Sequence, residues 1–99
     1  MNKRFVIALD SHTEAQNLLL KEYINKGGYG WWHWINGFWL LTDPLGKLNA
    51  QELRRDLSEI YPSVRMMVLE LQGSSDTWAG FGPNSAEKNM FDWMRDNWK

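Results

Sequence analysis

The pattern of apolar and polar positions predicts two elements in the first third of the chain. Phe5–Leu9 is a short, continuously apolar run, which is typical of a strand buried on both faces. From Thr13 to about Lys26 apolar side chains recur at helical spacing, and Ser11 with Glu14 predicts a capping box at the start of this helix. The glycines at positions 27 and 28 predict its end, because glycine adopts the left-handed conformation that closes a helix at little cost.

A β-hairpin is predicted next. Asn36-Gly37 lies between two aromatic and aliphatic runs, Tyr29–Ile35 and Phe38–Thr42, and such a dipeptide is the strongest short-range hairpin signal. A two-residue turn would pair Trp34 with Trp39 and Trp32 with Leu41, and the strand period of two then fixes the faces. One face would hold Trp31, His33, Ile35, Phe38 and Leu40, and the other would hold Trp32, Trp34, Trp39 and Leu41.

A second helix and a fourth strand follow a predicted turn at Asp43–Gly46. Asn49 is the predicted N-cap of the helix, and Pro62 ends it. Val64–Leu71 then predicts a strand with apolar side chains on both faces. The apolar stripe of the helix is Leu53, Leu57, Ile60 and Tyr61.

The last part of the chain predicts a loop and one more helix. The segment from Gly73 to Pro83 has no periodic pattern and is expected to be irregular. Asn84 or Ser85 is expected to cap a helix that runs to the end of the chain. The apolar side of that helix would hold Met90, Phe91, Trp93, Met94 and Trp98.

This order of elements predicts an α+β protein, a ferredoxin-like βαββαβ sandwich with an antiparallel sheet and an additional C-terminal helix. A length of 99 residues suits one domain. We therefore expect a single ferredoxin-like domain over residues 1–99. Within it, residues 1–72 would form the βαββαβ core and residues 73–99 the loop and the C-terminal helix.

The second face of this sheet is predicted to need a cover. Two helices cover only one face, yet the hairpin and the first and fourth strands carry apolar side chains on both. Leaving three tryptophans in water would forgo on the order of 10 kcal/mol. The C-terminal helix can supply part of the cover, and a second copy of the chain is expected to supply the rest, which makes the protein a homodimer. The alternative is that the C-terminal helix suffices alone.

Composition narrows the possible functions. Eleven basic and twelve acidic residues leave a net charge of −1, and their scattered positions argue against binding along a phosphate backbone. Cysteine is absent, which excludes disulfides, thiolate zinc sites and cysteine nucleophiles. The apolar run near the N-terminus is too short for a signal peptide or a membrane span, so a cytoplasmic protein without a membrane partner is expected.

Few side chains suggest a catalytic, metal-binding or cofactor-binding role. Asp10 closes the first strand, where its carboxylate could accept backbone N–H groups at the start of the next helix. His12 is either a general base beside it or a solvated side chain. His33, flanked by tryptophans, is expected to be a satisfied core or interface histidine. The glycine-rich Gly80–Pro83 lacks the lysine and Ser/Thr of a phosphate loop, and no cofactor site is predicted.

Seven tryptophans are the unusual feature of the composition. Aromatic rings could stack on nucleic-acid bases, but such sites normally lie in a positive groove, and the sequence offers none. Packing in the core or at an interface is therefore favoured. The residues expected at a dimer or partner surface are Trp32, Trp34, Trp39, Leu41, Trp78 and Phe81.

Several blocks along the chain resemble one protein family. They are the strand that ends in Asp10, Trp31-Trp32-His33-Trp34 leading into Phe38-Trp39-Leu40, the helix start Leu48–Leu53, and Val68–Leu71 followed by Trp78-Ala79-Gly80. These blocks resemble short bacterial and phage proteins labelled SinR-family. That family is grouped with the small subunit of CRISPR adaptation (the Cas-two-like superfamily) and with VapD-type toxins. The resemblance extends from Phe5 to Trp98.

The resemblance implies a ferredoxin-like fold and a dimer packed sheet to sheet. It also implies that Asp10 is the functional carboxylate, and that two copies of it at a dimer axis would hold one Mg²⁺. Three functions stay open, in this order of preference. They are a non-catalytic dimer that binds another protein of a defence or phage system, a Mg²⁺-dependent endonuclease that uses Asp10 with His12 as a base, and a protein that binds nucleic acid without cleavage.

Overall fold

The computed structural model describes residues 2–72 and 78–98, and there the elements follow the predicted order. The strands are β1 (Lys3–Leu9), β2 (Gly30–His33), β3 (Phe38–Asp43) and β4 (Met66–Leu71), and the helices are α1 (Glu14–Gly27), α2 (Ala50–Ile60) and α3 (Met90–Asn97). Of the segment predicted to be irregular, residues 73–77 lie outside the described residues, and 78–83 contain neither helix nor strand. Within the described ranges, no helix is long and apolar enough to cross a bilayer.

The four strands form one sheet in the order β2-β3-β1-β4, and every neighbouring pair is antiparallel. In the central strand β1, Val6 is opposite Leu40 of β3 and Leu69 of β4. Helix α1 connects β1 to β2, and α2 connects β3 to β4, so each helix joins two strands of the same direction with a third strand between them. The predicted α+β class, the antiparallel sheet and the additional C-terminal helix are confirmed.

Helices α1 and α2 pack on one side of the sheet, which we call the helix face. Alternate residues of β1 point to it, and Phe5, Ile7 and Leu9 are 0%, 0% and 8% exposed. They meet the apolar sides of the two helices, whose fully buried members are Leu20, Ile24, Leu53 and Leu57. The continuous hydrophobic core therefore lies between the helices and this face.

The start of α1 differs from the prediction by two residues. The capping box uses Thr13 and Gln16 instead of Ser11 and Glu14. The Thr13 hydroxyl accepts from the Gln16 N–H at 3.1 Å, and the Gln16 carboxamide oxygen accepts from the Thr13 N–H at 2.8 Å. Both pairs have the three-residue spacing of a capping box, so spacing alone does not choose between them. The end of the helix is as predicted, because Gly28 has a φ of 72°.

Of the N-caps predicted for the other two helices, one is correct and one is wrong. Asn49 caps α2 as predicted, because its side chain accepts a backbone N–H of the first turn at 2.9 Å. The predicted cap of α3 is wrong: Asn89 takes that position, and α3 begins after it. Asn84 instead pairs with Asn89 in an isolated bridge, and the Ser85 N–H donates to the Lys88 carbonyl at 3.0 Å. A turn therefore precedes the helix where its first residues were expected.

The hairpin pairs one residue away from the predicted register. Trp31 is opposite Leu41, and His33 is opposite Trp39. The predicted two-residue turn would have placed Trp32 opposite Leu41, so that register is wrong. When the register shifts by one residue, each side chain of one strand lies on the opposite face of the sheet from the residue with which it was predicted to pair. Tryptophans predicted to share a face consequently lie on opposite faces.

The conformation of the turn explains the shift. The favoured two-residue turn needs a positive φ at both central residues, but of Asn36 and Gly37 only the glycine has one, at 67°. The connection is four residues long, 34–37, and the Phe38 N–H donates to the Ile35 carbonyl at 3.0 Å. The Gly37 carbonyl also accepts from the Leu9 N–H at 2.6 Å. Strand β1 therefore helps to fix the turn.

Helix α3 packs against the opposite side of the sheet, which we call the second face. Its Met94 and the adjoining Trp98 are 4% and 3% exposed. The guanidinium of Arg4, on β1, lies 5.6 Å from the centre of the Trp98 ring, and Arg4 is 3% exposed. The predicted contribution of the C-terminal helix to the cover of this face is confirmed.

Candidate functional site

Asp10, the predicted metal ligand, carries an ion pair just after the end of β1. Arg65 contacts its Oδ2 through a terminal guanidinium nitrogen at 2.8 Å and through Nε at 2.9 Å. The Asp10 N–H also donates to the Arg65 carbonyl at 2.9 Å. The two side chains are 53% and 88% exposed, and an ion pair in water contributes only about 0–1 kcal/mol. The contact ties the end of β1 to the approach of β4.

His12, the predicted general base, belongs to a different set of hydrogen bonds. The Tyr61 hydroxyl donates to Asn17 Oδ1 at 2.9 Å, which turns the amide nitrogen of Asn17 toward His12 Nδ1 at 3.1 Å. His12 Nδ1 therefore accepts a hydrogen bond from the Asn17 amide. Burial raises the pKa of Tyr61 to about 12, so its hydroxyl stays protonated and remains the donor. This chain anchors the start of α1 to the end of α2.

The residues of one chain do not fit the Mg²⁺ that the family resemblance implies. Mg²⁺ prefers oxygen ligands, and Asp10 offers one carboxylate that is already paired with the Arg65 guanidinium. Across residues 2–72 and 78–98, no group of three or more histidine, aspartate or glutamate side chains could hold a metal ion. Among the described residues, Asp10 therefore has no neighbouring carboxylates that would complete a magnesium site.

The six residues predicted for a dimer or partner surface separate into two groups. Trp39 and Leu41 are 1% and 0% exposed in the core of the helix face, so their assignment to a surface is wrong. The cause is the shifted hairpin register, which turns both toward α1 and α2. The other four gather around one cavity on the second face: Trp32, Trp34, Trp78 and Phe81.

This cavity, of about 230 Å³, lies between the second face and the C-terminal segment. The sheet, the hairpin loop and residues 78–98 all contribute to its wall. Within residues 2–72 and 78–98, every lining residue is apolar or glycine. From the sheet and the loop they are Val6, Trp32, Trp34, Ile35, Phe38, Leu40 and Leu71, and from the C-terminal segment they are Trp78, Ala79, Gly80, Phe81, Met90, Met94 and Trp98.

Lys88 lies against two of the rings that line the cavity. Its Nζ is 4.8 Å from the centre of the Trp34 ring and 5.7 Å from that of Trp32. Both distances are within the range of cation–π attraction. No sequence signal identifies Lys88, because α2 and β4 separate it from the hairpin along the chain. Only the packing of the C-terminal segment brings it to these tryptophans.

His33 packs on the helix face and stacks on its cross-strand neighbour. The rings of His33 and Trp39 are parallel within 3°, with centroids 4.0 Å apart. Burial lowers the pKa of His33, and nearby basic groups act in the same direction. In the described part of the chain, nothing hydrogen-bonds to its buried Nε2. The expectation of a satisfied histidine holds only in part, since the ring hydrogen-bonds to the Ile35 backbone but not through Nε2, and the lowered pKa keeps the ring neutral near pH 7.

Asp43 is the carboxylate that the fold buries. It ends β3 and is 2% exposed, and its oxygens accept from the backbone N–H groups of Lys47, Leu48 and Leu45 at 2.7, 2.8 and 3.0 Å. Burial alone would raise the pKa of Asp43, but the hydrogen bonds from the backbone of residues 45–48 outweigh it and lower the pKa. The sequence places Asp43 in a turn, which is correct, but does not reveal its burial.

The basic side chains next to tryptophans do not form one strip for a nucleic acid. Lys21 Nζ lies 5.3 Å from the centre of the Trp31 ring, which packs against the core of the helix face. Lys88 lies beside rings of the second face. The two contacts therefore lie on opposite faces of the sheet.

Comparisons of the chain with protein-family models, with curated protein sequences and with solved structures find no match. The resemblance to SinR-family proteins therefore stays a prediction from the sequence blocks that carry it.

Proposed function

We propose that this chain is a small, non-catalytic interaction protein of the cytoplasm that works as a homodimer of ferredoxin-like subunits. The observation that carries the proposal is the part of the second face that α3 leaves uncovered. There Met67 and Leu69, on alternate positions of β4, are 60% and 48% exposed. The resemblance adds that the dimer binds another protein of a defence or phage system.

The strand order supports the ferredoxin-like part of the proposal. Counted from the other edge it is β4-β1-β3-β2, with every neighbouring pair antiparallel. Each of the two crossovers contains one helix and spans one intervening strand. These features are those of the split βαβ arrangement.

The position of β4 supports association with a second copy. It is an edge of the four-stranded sheet that the described residues form. An edge strand offers unpaired backbone groups, and proteins usually blunt such edges with proline or lysine, neither of which occurs in Met66–Leu71. Packing of the second faces of two copies around a twofold axis beside β4 would cover Met67 and Leu69 of both copies at once.

The surroundings of the predicted catalytic residues support a non-catalytic role. Asp10 pairs with Arg65, whereas His12 is held by Asn17, so the acid and the base have separate partners. The cavity of the second face is lined by apolar side chains and contains neither of them. A general base has to lie within hydrogen-bond reach of the group it activates, and these positions do not bring the two together at the cavity.

Light scattering on purified protein tests the dimer. We expect the wild type to have twice the mass of one chain at micromolar concentration, and the double variant Met67→Glu/Leu69→Glu to be monomeric because its charges would be buried at the contact. Leu18→Glu/Leu19→Glu is the matched control, since these α1 side chains are 55% and 49% exposed on the other layer.

Two results would contradict the proposed dimer. A wild type that stays monomeric across micromolar concentrations would remove it. Dissociation caused by the Leu18/Leu19 pair but not by the Met67/Leu69 pair would place the contact on the helices instead of the sheet.

A further inference from the structure

The cavity on the second face adjoins the exposed part of β4, because its wall includes Leu71 and also Val6, which is opposite Leu69, and it is suited to a small molecule. We propose that it binds an aromatic carboxylate, with the ring system inside the cavity and the carboxylate against Lys88. The inference concerns a ligand site whose described contacts all belong to one chain, so the site is complete without a second copy.

The volume sets the size of the ring system. An engineered apolar cavity of about 150 Å³ binds benzene. The cavity here, at about 230 Å³, is larger by roughly the room needed for a second fused ring. A bicyclic aromatic group therefore matches the volume of the cavity.

The chemistry of the wall favours an aromatic group. Among the described residues of the wall are four tryptophans and two phenylalanines, and none of these described residues is charged. Flat rings pack on such surfaces in offset or edge-to-face arrangements, which add about 0.5–1.5 kcal/mol to the burial of apolar area. A charged group inside the cavity would lose its water without a partner, so the charge of the ligand has to remain at the rim.

Lys88 supplies a partner for that charge. Trp34 is 54% exposed, so the cavity opens to solvent beside it, and this is the ring that Lys88 Nζ approaches most closely, at 4.8 Å. None of the ion pairs among the described residues involves Lys88. A carboxylate at the opening would meet an ammonium already held there by the rings of Trp34 and Trp32. A cationic ligand would be repelled at the same place.

Calorimetric titration with 2-naphthoate and with its uncharged analogue 2-naphthamide tests both halves of the proposal. We expect the wild type to bind 2-naphthoate about threefold to fivefold more tightly than the amide, which is the size of effect that an exposed ion pair gives. Lys88→Met should reduce the affinity for 2-naphthoate to that for the amide and leave the affinity for the amide unchanged.

A substitution that fills the cavity tests the location of the ring. Leu40→Trp places a larger side chain in the wall and should abolish binding of both compounds. Leu45→Trp is the matched control, because Leu45 is 70% exposed in a turn outside the cavity and its replacement should change neither affinity. Thermal melting of each variant shows that it is folded.

Methyl resonances give a readout in the unmodified protein. Addition of 2-naphthoate should shift the methyl signals of Met90 and Met94, which line the cavity, and leave that of Met66 on the helix face unmoved. Absence of binding at millimolar concentration, or binding that survives Leu40→Trp, would overturn the cavity as the site. Equal affinities for the acid and the amide would overturn the role of Lys88.

Discussion

The two faces of the sheet are both apolar in sequence, but the protein covers them differently. On the helix face, α1 and α2 close a core in which Phe5, Ile7 and Leu41 have no exposed surface. On the second face, α3 and the segment before it cover part of the sheet, enclose a cavity of about 230 Å³, and leave Met67 60% exposed. An apolar strand position therefore does not by itself indicate a closed core, because exposure depends on what lies above it.

Leu41 and Leu40 show this difference at adjacent positions of one strand. Leu41 is fully buried under the helices, whereas Leu40 lines the cavity of the second face. The two side chains are chemically identical and belong to the same apolar run. Any difference between their contributions to stability therefore comes from the cover on each side.

The largest effect is expected from truncating these two leucines. Leu41→Ala should lower the free energy of unfolding by about 3 kcal/mol, because it opens a cavity in a close-packed core. Leu40→Ala should cost about 1 kcal/mol, since it only enlarges an existing space. Urea unfolding followed by circular dichroism measures both. Equal losses would mean that the second face is as tightly packed as the helix face.

A second difference separates two aspartates at strand ends. Asp43 is buried on the helix side at the end of β3, where three backbone N–H groups donate to it. Asp10 is exposed after the end of β1 and pairs with Arg65. The sequence suggests a function for Asp10, yet the carboxylate of Asp10 is exposed to solvent. Asp43, which the sequence places only in a turn, has the stronger hydrogen bonding.

Asp43→Asn is expected to lower the free energy of unfolding by about 2 kcal/mol at pH 7. The backbone N–H groups bond to two carboxylate oxygens in the wild type, whereas an amide offers only one oxygen as an acceptor. The folded pKa of Asp43 is lowered, so its stabilising contribution is present above the usual aspartate pKa of about 3.9 and is lost as pH falls through the folded pKa. The difference in the free energy of unfolding between wild type and variant should therefore become smaller below about pH 4. Urea unfolding at pH 7, 5 and 3 measures it, and a difference that stays constant with pH would contradict this role.

The smallest effect is expected at Asp10. Asp10→Ala should change the free energy of unfolding by less than about 1 kcal/mol, as should Arg65→Ala, because both remove the same exposed ion pair. We also expect no cleavage of single- or double-stranded DNA or RNA by the wild type with Mg²⁺ or Mn²⁺. Cleavage that EDTA and Asp10→Ala both abolish would replace the proposed interaction protein by the endonuclease.

Local signals account for the parts of the fold that the sequence predicts well. Asn49 caps α2, glycine at position 28 ends α1, and the order of strands and helices follows from the spacing of apolar residues. Where two local signals were equivalent, as for the pairs Ser11/Glu14 and Thr13/Gln16, the sequence could not decide. The choice changes only the first turn of the helix.

The candidate site was predicted less well than the fold. Four of its tryptophan and phenylalanine members were expected at a surface, but Lys88 was not, and Trp39 was placed on the wrong face. These side chains come from the hairpin and from the C-terminal segment, which are far apart in the chain. The spacing of apolar residues along the chain does not indicate how two such distant segments pack against each other.

The sequence by itself determined the class of the fold, because helix and strand periods and most caps depend on residues within a few positions of each other. The tertiary structure decided the register of the hairpin, since the Gly37 carbonyl bonds to the Leu9 N–H of another strand. It also decided which face is closed and where the cavity lies, because these depend on how α3 meets the sheet. Contacts between distant segments are set by shape and volume, which the linear pattern does not contain.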